Sequence, residues 1–406
     1  MVWLKRILLG GLLILIITGA FAYQALGTFQ VSISESFLGN APGDIVEVKR
    51  IGRYPRYITK LLWDSADLPV SIEVEYGIAM YQLQYRTTNQ AGLSVVASGL
   101  VTIPLRYTSN SVVAYFHGTD TERDTAPSQP GIGEGLLVSV SAAGSGHILA
   151  APDYLGLGLS LEAHPYMVTH LTVSAAIDFL RATYSFIEQL NGEQPNNLFL
   201  TGWSQGGHAT LAVQRELEVM DNPPFEVSAT APISGAFYLR DMSFPQALTG
   251  EAEAHVMYVA YLATSYSKIY NAPLNTVLAE PYVDSVIALF DGNHSTREIV
   301  RELPDDPREL LDTRLLDALD NGESHWFLNA LQENSLESWT PVAPVRLYYG
   351  EADVDVLPEE SRRAETELKV GGGNITALSI GAYNHEDAPL YAIPDAIDWF
   401  TEATAN

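Results

Sequence analysis

The chain predicts an α/β fold: a mostly parallel central sheet with helices on both faces and an inserted helical cap. Three observations carry this expectation. From residue 111 onward, short apolar β-prone runs alternate with stretches of helical periodicity, and such alternation requires parallel strands joined by crossover helices. The interval from about 238 to 339 is too long for one crossover and is helical in pattern. Finally, the β-prone run ending Leu198-Phe199-Leu200-Thr201 breaks at Gly202-Trp203-Ser204-Gln205-Gly206 and resumes as a helix former. That is the pattern of a nucleophile elbow, a sharp turn that exposes a serine between strand and helix.

In chain order, Lys5 and Arg6 precede an apolar run from Ile7 to Ala22 that closes Ala20-Phe21-Ala22. A charged flank, an apolar stretch and an A-x-A end read as a secretory signal or a short uncleaved anchor over residues 1–22. A protein so built is expected to be secreted or periplasmic, or held on a membrane by that segment. Residues 23–237 then form the first part of the core. Ile78–Arg86 and Leu93–Leu105 are strand-like and joined at Thr88-Asn89-Gln90-Ala91-Gly92, which predicts a hairpin opening the sheet. Ser111–Phe116 and His147–Ala151 predict buried strands, with a helix over Gly131–Ala143 between them. Val173, Ile177, Leu180, Tyr184 and Ile187 recur at helical spacing before the strand at Leu198–Thr201. Val227–Ser234 predicts the next strand. The cap, 238–339, carries an aromatic stripe at Tyr258, Tyr261, Leu262 and Tyr266 that reads first as packing and second as substrate contact. Residues 340–406 complete the core, with strands at Val345–Tyr349 and Ile375–Ile380 and a last helix through Trp399 and Phe400.

With 406 residues and 47% apolar content, the chain can bury one large core without staples, and it has no cysteine to supply them. The formal charge of −27 argues against nucleic acid or anionic membrane surfaces as partners. The sequence leaves the oligomeric state open.

Ser204 needs a base whose pKa lies near neutrality, and His385 in Asn384-His385-Glu386-Asp387 follows the last predicted strand. The acid that orients the imidazole belongs after the penultimate strand, where the chain reads Gly350-Glu351-Ala352-Asp353-Val354-Asp355. Asp353 is the first choice, because Gly-x-x-Asp makes a short loop able to turn the side chain inward. Asp355 is the alternative, and Glu351 reads as solvated. Two backbone N–H groups, of Gln205 after the serine and of Thr119 after the strand ending Tyr115-Phe116, are the candidate oxyanion donors. His117 and His208 read as structural, His208 packing below the elbow, and Asp153 reads as a tie for the glycine-rich loop after it. No metal site is predicted: His164 and His170 are six apart and no HExxH run exists.

Together these residues resemble the α/β-hydrolase superfamily, and within it the secretory lipase-like family of bacteria and fungi. The likeness extends to Phe116-His117-Gly118-Thr119, to Ala151-Pro152-Asp153-Tyr154-Leu155-Gly156-Leu157-Gly158, to His164-Pro165-Tyr166 and to Pro42-Gly43-Asp44. It covers roughly residues 40 to 402, while Trp203 stands where relatives often carry other residues. The resemblance implies a lipase or esterase acting on small-molecule or lipid esters under a helical lid, through a Ser-His-Asp triad and with no cofactor. A serine peptidase of the same fold is the alternative, and a binding protein without catalysis on the same scaffold is a third reading.

Overall fold

The central strands are apolar on both faces, which commits them to the middle of a layered fold. The computed structural model describes residues 27–66, 68–106, 108–130, 133–336 and 339–405. The segment 1–22, read above as a signal or anchor, lies outside them. Ten strands form one sheet: β1 (Phe29–Gln30), β2 (Ile45–Tyr54), β3 (Ile78–Thr88), β4 (Ser94–Pro104), β5 (Ser111–Phe116), β6 (Ile148–Pro152), β7 (Asn197–Trp203), β8 (Val227–Ile233), β9 (Val345–Tyr349) and β10 (Ile375–Ser379). Their spatial order is β1-β2-β3-β4-β6-β5-β7-β8-β9-β10. From β6 to β10 neighbours run parallel, and the pairs from β1 through β4 to β6 are antiparallel.

Alternation along the strands divides the core between two faces. Val112, Ala114, Phe116, Leu198 and Leu200 pack with the helices Thr169–Asn191 and Gln205–Val219, whereas Val113, Tyr115 and Phe199 pack with Arg56–Ser65, Glu134–Gly144 and Ala388–Ala405. In chain order these helices are α1 (Arg56–Ser65), α2 (Glu134–Gly144), α3 (Thr169–Asn191) and α4 (Gln205–Val219). The last helix, 388–405, stacks Phe400 on Phe199 with ring centroids 4.6 Å apart. The hairpin between β3 and β4 closes through Asn89, whose side-chain oxygen accepts from the N–H groups of Ala91 and Leu93, while Gly92 takes the positive φ of 72° that the turn requires.

Between β8 and β9 the described residues contain helices and no strand: α5 (Phe244–Ala247), α6 (His255–Ile269), α7 (Glu280–Leu289), α8 (Thr296–Glu302), α9 (Thr313–Asn321) and α10 (Trp326–Asn334). The chain enters this stretch through a fixed point. Glu360, buried in α11 (Pro358–Lys369), accepts from the N–H groups of Phe237 and Tyr238 at 3.0 and 2.8 Å and from the Ser243 hydroxyl at 2.6 Å. Burial raises its pKa to about 7 against the pull of those three donors.

Strand register decides where function can sit. Phe116 lies opposite Gly202, Trp203 opposite Ile233, and Ser379 opposite Tyr349. The carboxyl ends of β5, β7, β8, β9 and β10 therefore converge, and the loops leaving them are the place where ligands bind in open parallel sheets. Among the described residues no helix is long and apolar enough to cross a membrane.

Candidate active site

Ser204 sits between β7 and α4 with φ 58° and ψ −117°, a conformation that costs a β-carbon-bearing residue roughly 1–3 kcal/mol and persists only where its surroundings enforce it. Here they do. The Ser204 N–H donates to Ile233 O at 3.0 Å and its carbonyl accepts from the His208 N–H at 3.1 Å. A β-carbon on Gly202 would lie 2.5 Å from the Phe116 carbonyl oxygen, and one on Gly206 would collide with the same carbonyl. Glycine at both positions is thus what lets the turn press against the end of β5.

The loops after β9 and β10 are joined by backbone bonds, Glu351 N–H to Gly381 O at 2.9 Å and Ala352 N–H to Tyr383 O at 3.1 Å. That joining brings Asp353 to His385. Asp353 Oδ2 lies 2.8 Å from His385 Nδ1, and both side chains are buried. The other carboxylate oxygen, Oδ1, accepts from the N–H groups of Asp355 and Val356 at 3.0 and 2.9 Å, so the acid is held from behind by its own loop. Burial disfavours the imidazolium of His385, but the hydrogen bond and charge of Asp353, reinforced by Asp355 and Glu386, outweigh it and raise the pKa above the ordinary value. An imidazole bonded to carboxylate through Nδ1 is fixed in the tautomer that leaves Nε2 free to accept a proton.

A cavity of about 50 Å³ joins these groups, with Ser204, Gln205, His385, Asp355, Tyr166 and Tyr258 on its walls. Asp355 faces Tyr258 rather than the Nδ1 of His385, and burial together with Asp355 holds the Tyr258 phenol well above its usual range. Glu351 is exposed and pairs with Arg362. The Gln205 N–H opens α4, where helix geometry leaves it without an intrahelical acceptor. Thr119 is one step back from the cavity wall: its hydroxyl is 3.0 Å from that of Tyr166, which does line the cavity. Among the described residues no three His, Asp or Glu side chains converge as a metal ion would need.

The remaining candidates are spent on structure. His117 places its ring nitrogens 2.8 Å from Gly118 O and 3.4 Å from Asp153 O. Asp153 accepts from the hydroxyls of Ser98 and Ser128 and from the Ser128 N–H, tying its loop to β4. His170 meets Gln90 at 2.8 Å, and His164 spans Leu155 O and the Gln205 side chain. His208 is buried, with Nε2 2.9 Å from Asn334 O at the end of α10. Burial lowers its pKa to about 4. The aromatic stripe divides. Tyr258 and Leu262 line the cavity, while Tyr261 stacks between Tyr166 and Phe290 and Tyr266 is fully buried. Sequence reasoning missed Trp203, whose indole N–H donates to His385 O at 3.1 Å with its ring 5.1 Å from the imidazole.

No protein-family model and no curated protein sequence matches the chain. Solved structures do. It is similar to a candidate hydrolase from Legionella pneumophila, with a TM-score of 0.83 and 24% identity over 88% of this chain and 98% of that one. It is similar to the rice cell wall degrading esterase LipA from Xanthomonas oryzae, with a TM-score of 0.75 and 23% identity over 90% of this chain and 96% of that one. It is also similar to Candida antarctica lipase A in its closed state, with a TM-score of 0.66 and 16% identity over 93% and 85% of the two chains. The fold is that of the α/β-hydrolases.

The raised pKa of His385 has a measurable consequence. In a proton NMR titration its midpoint should lie above ~6.5, the unperturbed imidazole value, and Asp353→Asn should bring it below, because burial then acts with less opposition. The linked stability follows the same sign: it is full below the unfolded pKa and is lost as the pH rises through the folded one. A His385 midpoint unchanged by Asp353→Asn would contradict the pairing.

Proposed function

We propose that the protein is a serine hydrolase that cleaves carboxylic esters through an acyl-enzyme. The observation that carries this reading is that His385, paired with the buried Asp353, faces the same cavity as Ser204 at its strained turn. Ser204 Oγ attacks the ester carbonyl while His385 Nε2 takes its proton, and the N–H groups of Gln205 and Thr119 stabilise the oxyanion. His385 then protonates the departing alcohol, and water repeats the sequence in reverse to release the acid. Asp353 holds the imidazole tautomer throughout. The esterase and lipase names of two structural neighbours support ester over peptide substrates, and the lipase name of one of them supports a role in lipid degradation.

Residues 238–339 act in this reading as a lid. The cavity above Ser204 is small, about 50 Å³, and in this reading movement of the wall bearing Tyr258 and Leu262 admits a long acyl group. The leader of residues 1–22 makes the enzyme an exported or membrane-anchored one, supported by Lys5, Arg6 and the Ala20-Phe21-Ala22 end of the apolar run.

A fluorophosphonate should label Ser204, and Ser204→Ala should abolish labelling with a loss of roughly 10³-fold or more in ester turnover. A label mapped to another serine, or faster cleavage of peptide amides than of esters in a paired screen, would refute the assignment. The labelled band should fractionate outside the cytosol of the source cell, and a purely cytosolic band would refute export. For the lid, Tyr258→Ala should alter the ratio of long-chain to short-chain ester hydrolysis in the folded enzyme. An unchanged ratio would return Tyr258 to plain packing.

A further inference from the structure

Residues Lys49 to Trp63 contain Lys49, Arg50, Arg53, Arg56 and Lys60 and no acid, in a chain whose 49 acids outnumber its 22 bases. They form the end of β2 and most of α1. Tyr57 and Leu61, one turn apart on α1, are 65% and 59% exposed, and Arg53, Arg56 and Lys60 are exposed beside them. Outside acids reach two of the cations, Glu47 with Lys49 at 2.7 Å and Asp64 with Lys60 at 2.9 Å, but solvated pairs of this kind exchange readily for other anions. Arg53 and Arg56 meet no carboxylate among the described residues.

The chain's own course points to the same place. In the antiparallel pairing of β1 with β2, Phe29 lies opposite Arg50 and Gln30 opposite Lys49. The upstream end of β1 therefore lies on the side of β2 that leads to Arg53 and the start of α1. Upstream in the sequence lies the apolar run Ile7–Ala22.

We propose that the β2–α1 face is a docking surface for a membrane rich in anionic phospholipid, with Arg53, Arg56 and Lys60 on the phosphates and Tyr57 and Leu61 inserted among the headgroups. Exposed apolar side chains flanked by cations are the chemistry of an interfacial helix, and the acidic excess, of which only Glu47 and Asp64 pair with cations of this face, orients the molecule by being repelled. The net charge of the whole chain hides this patch because it averages over it. Neither Ser204 nor its chemistry enters the inference.

The test uses full-length protein carrying Ser204→Ala, so that no lipid is consumed, mixed with vesicles of phosphatidylcholine alone or with one third phosphatidylglycerol. Every variant keeps the same N-terminal segment, so any insertion by that segment cancels in the comparison. Phosphatidylglycerol should strengthen sedimentation with vesicles, and Arg53→Gln with Lys60→Gln should weaken binding to those vesicles by roughly 10- to 30-fold. Tyr57→Ser with Leu61→Ser should weaken binding to both lipids, with thermal melts showing each variant folded. Equal binding of the parent to both vesicles, or unchanged binding of the charge variant, would overturn the proposal.

Discussion

The turn at Ser204 is wedged between the ends of β5 and β8, and the rest of the site depends on that wedge. Its positive φ is unfavourable for serine in isolation. It is enforced by the Ser204 N–H bond to Ile233 O and by the Phe116 carbonyl pressed against Gly202 and Gly206. The same approach sets the end of β5, which leads into the loop bearing Thr119, against the start of α4. Stability given up at the turn is recovered below it, where Phe199 and its neighbours bury both faces of β7.

A second pair of strand ends delivers the proton-handling groups. Neither Asp353 nor His385 could be buried alone without a large penalty, since each charge would lose its water. Together they satisfy one another, and the remaining carboxylate oxygen is met by two N–H groups of its own loop. The indole of Trp203 adds a constraint from the serine's side, because its N–H holds the His385 carbonyl. Serine turn and histidine loop are therefore coupled by a direct hydrogen bond as well as by sharing a cavity. Across that cavity, Tyr258 and Leu262 come from α6, so one helix of the stretch between β8 and β9 supplies a wall facing Ser204.

Much of this was legible in the sequence because strong local rules were at work. The glycine pattern around Ser204, the alternation of strands and helices, and the order of serine, acid and histidine each have a local signature. The rival acids did not: Asp353 and Asp355 follow the same strand, and only the backbone N–H groups of Asp355 and Val356, folded back onto Asp353, show which one faces the imidazole. β2 escaped notice because register shifts between Ile45 and Glu47 and between Arg50 and Gly52 break its period of two. The partner of His208 was not legible because Asn334 is 126 residues away, and a long-range contact leaves no trace in local spacing. The cationic patch on β2 and α1 was lost in a net charge that sums over the chain.

The central claim is that Asp353, held by its own loop, is the acid that serves His385. It is tested most directly by kcat/KM on a water-soluble ester for Asp353→Asn and Asp355→Asn, both checked for folding. The two changes remove the same charge two residues apart, so general electrostatic effects largely cancel in the comparison. Asp353→Asn should lose up to roughly 10⁴-fold through the wrong imidazole tautomer, and Asp355→Asn, which alters a cavity wall and a charge not bonded to the imidazole, should stay within about tenfold of the parent. A larger loss in Asp355→Asn, or strong activity in both, would contradict the account.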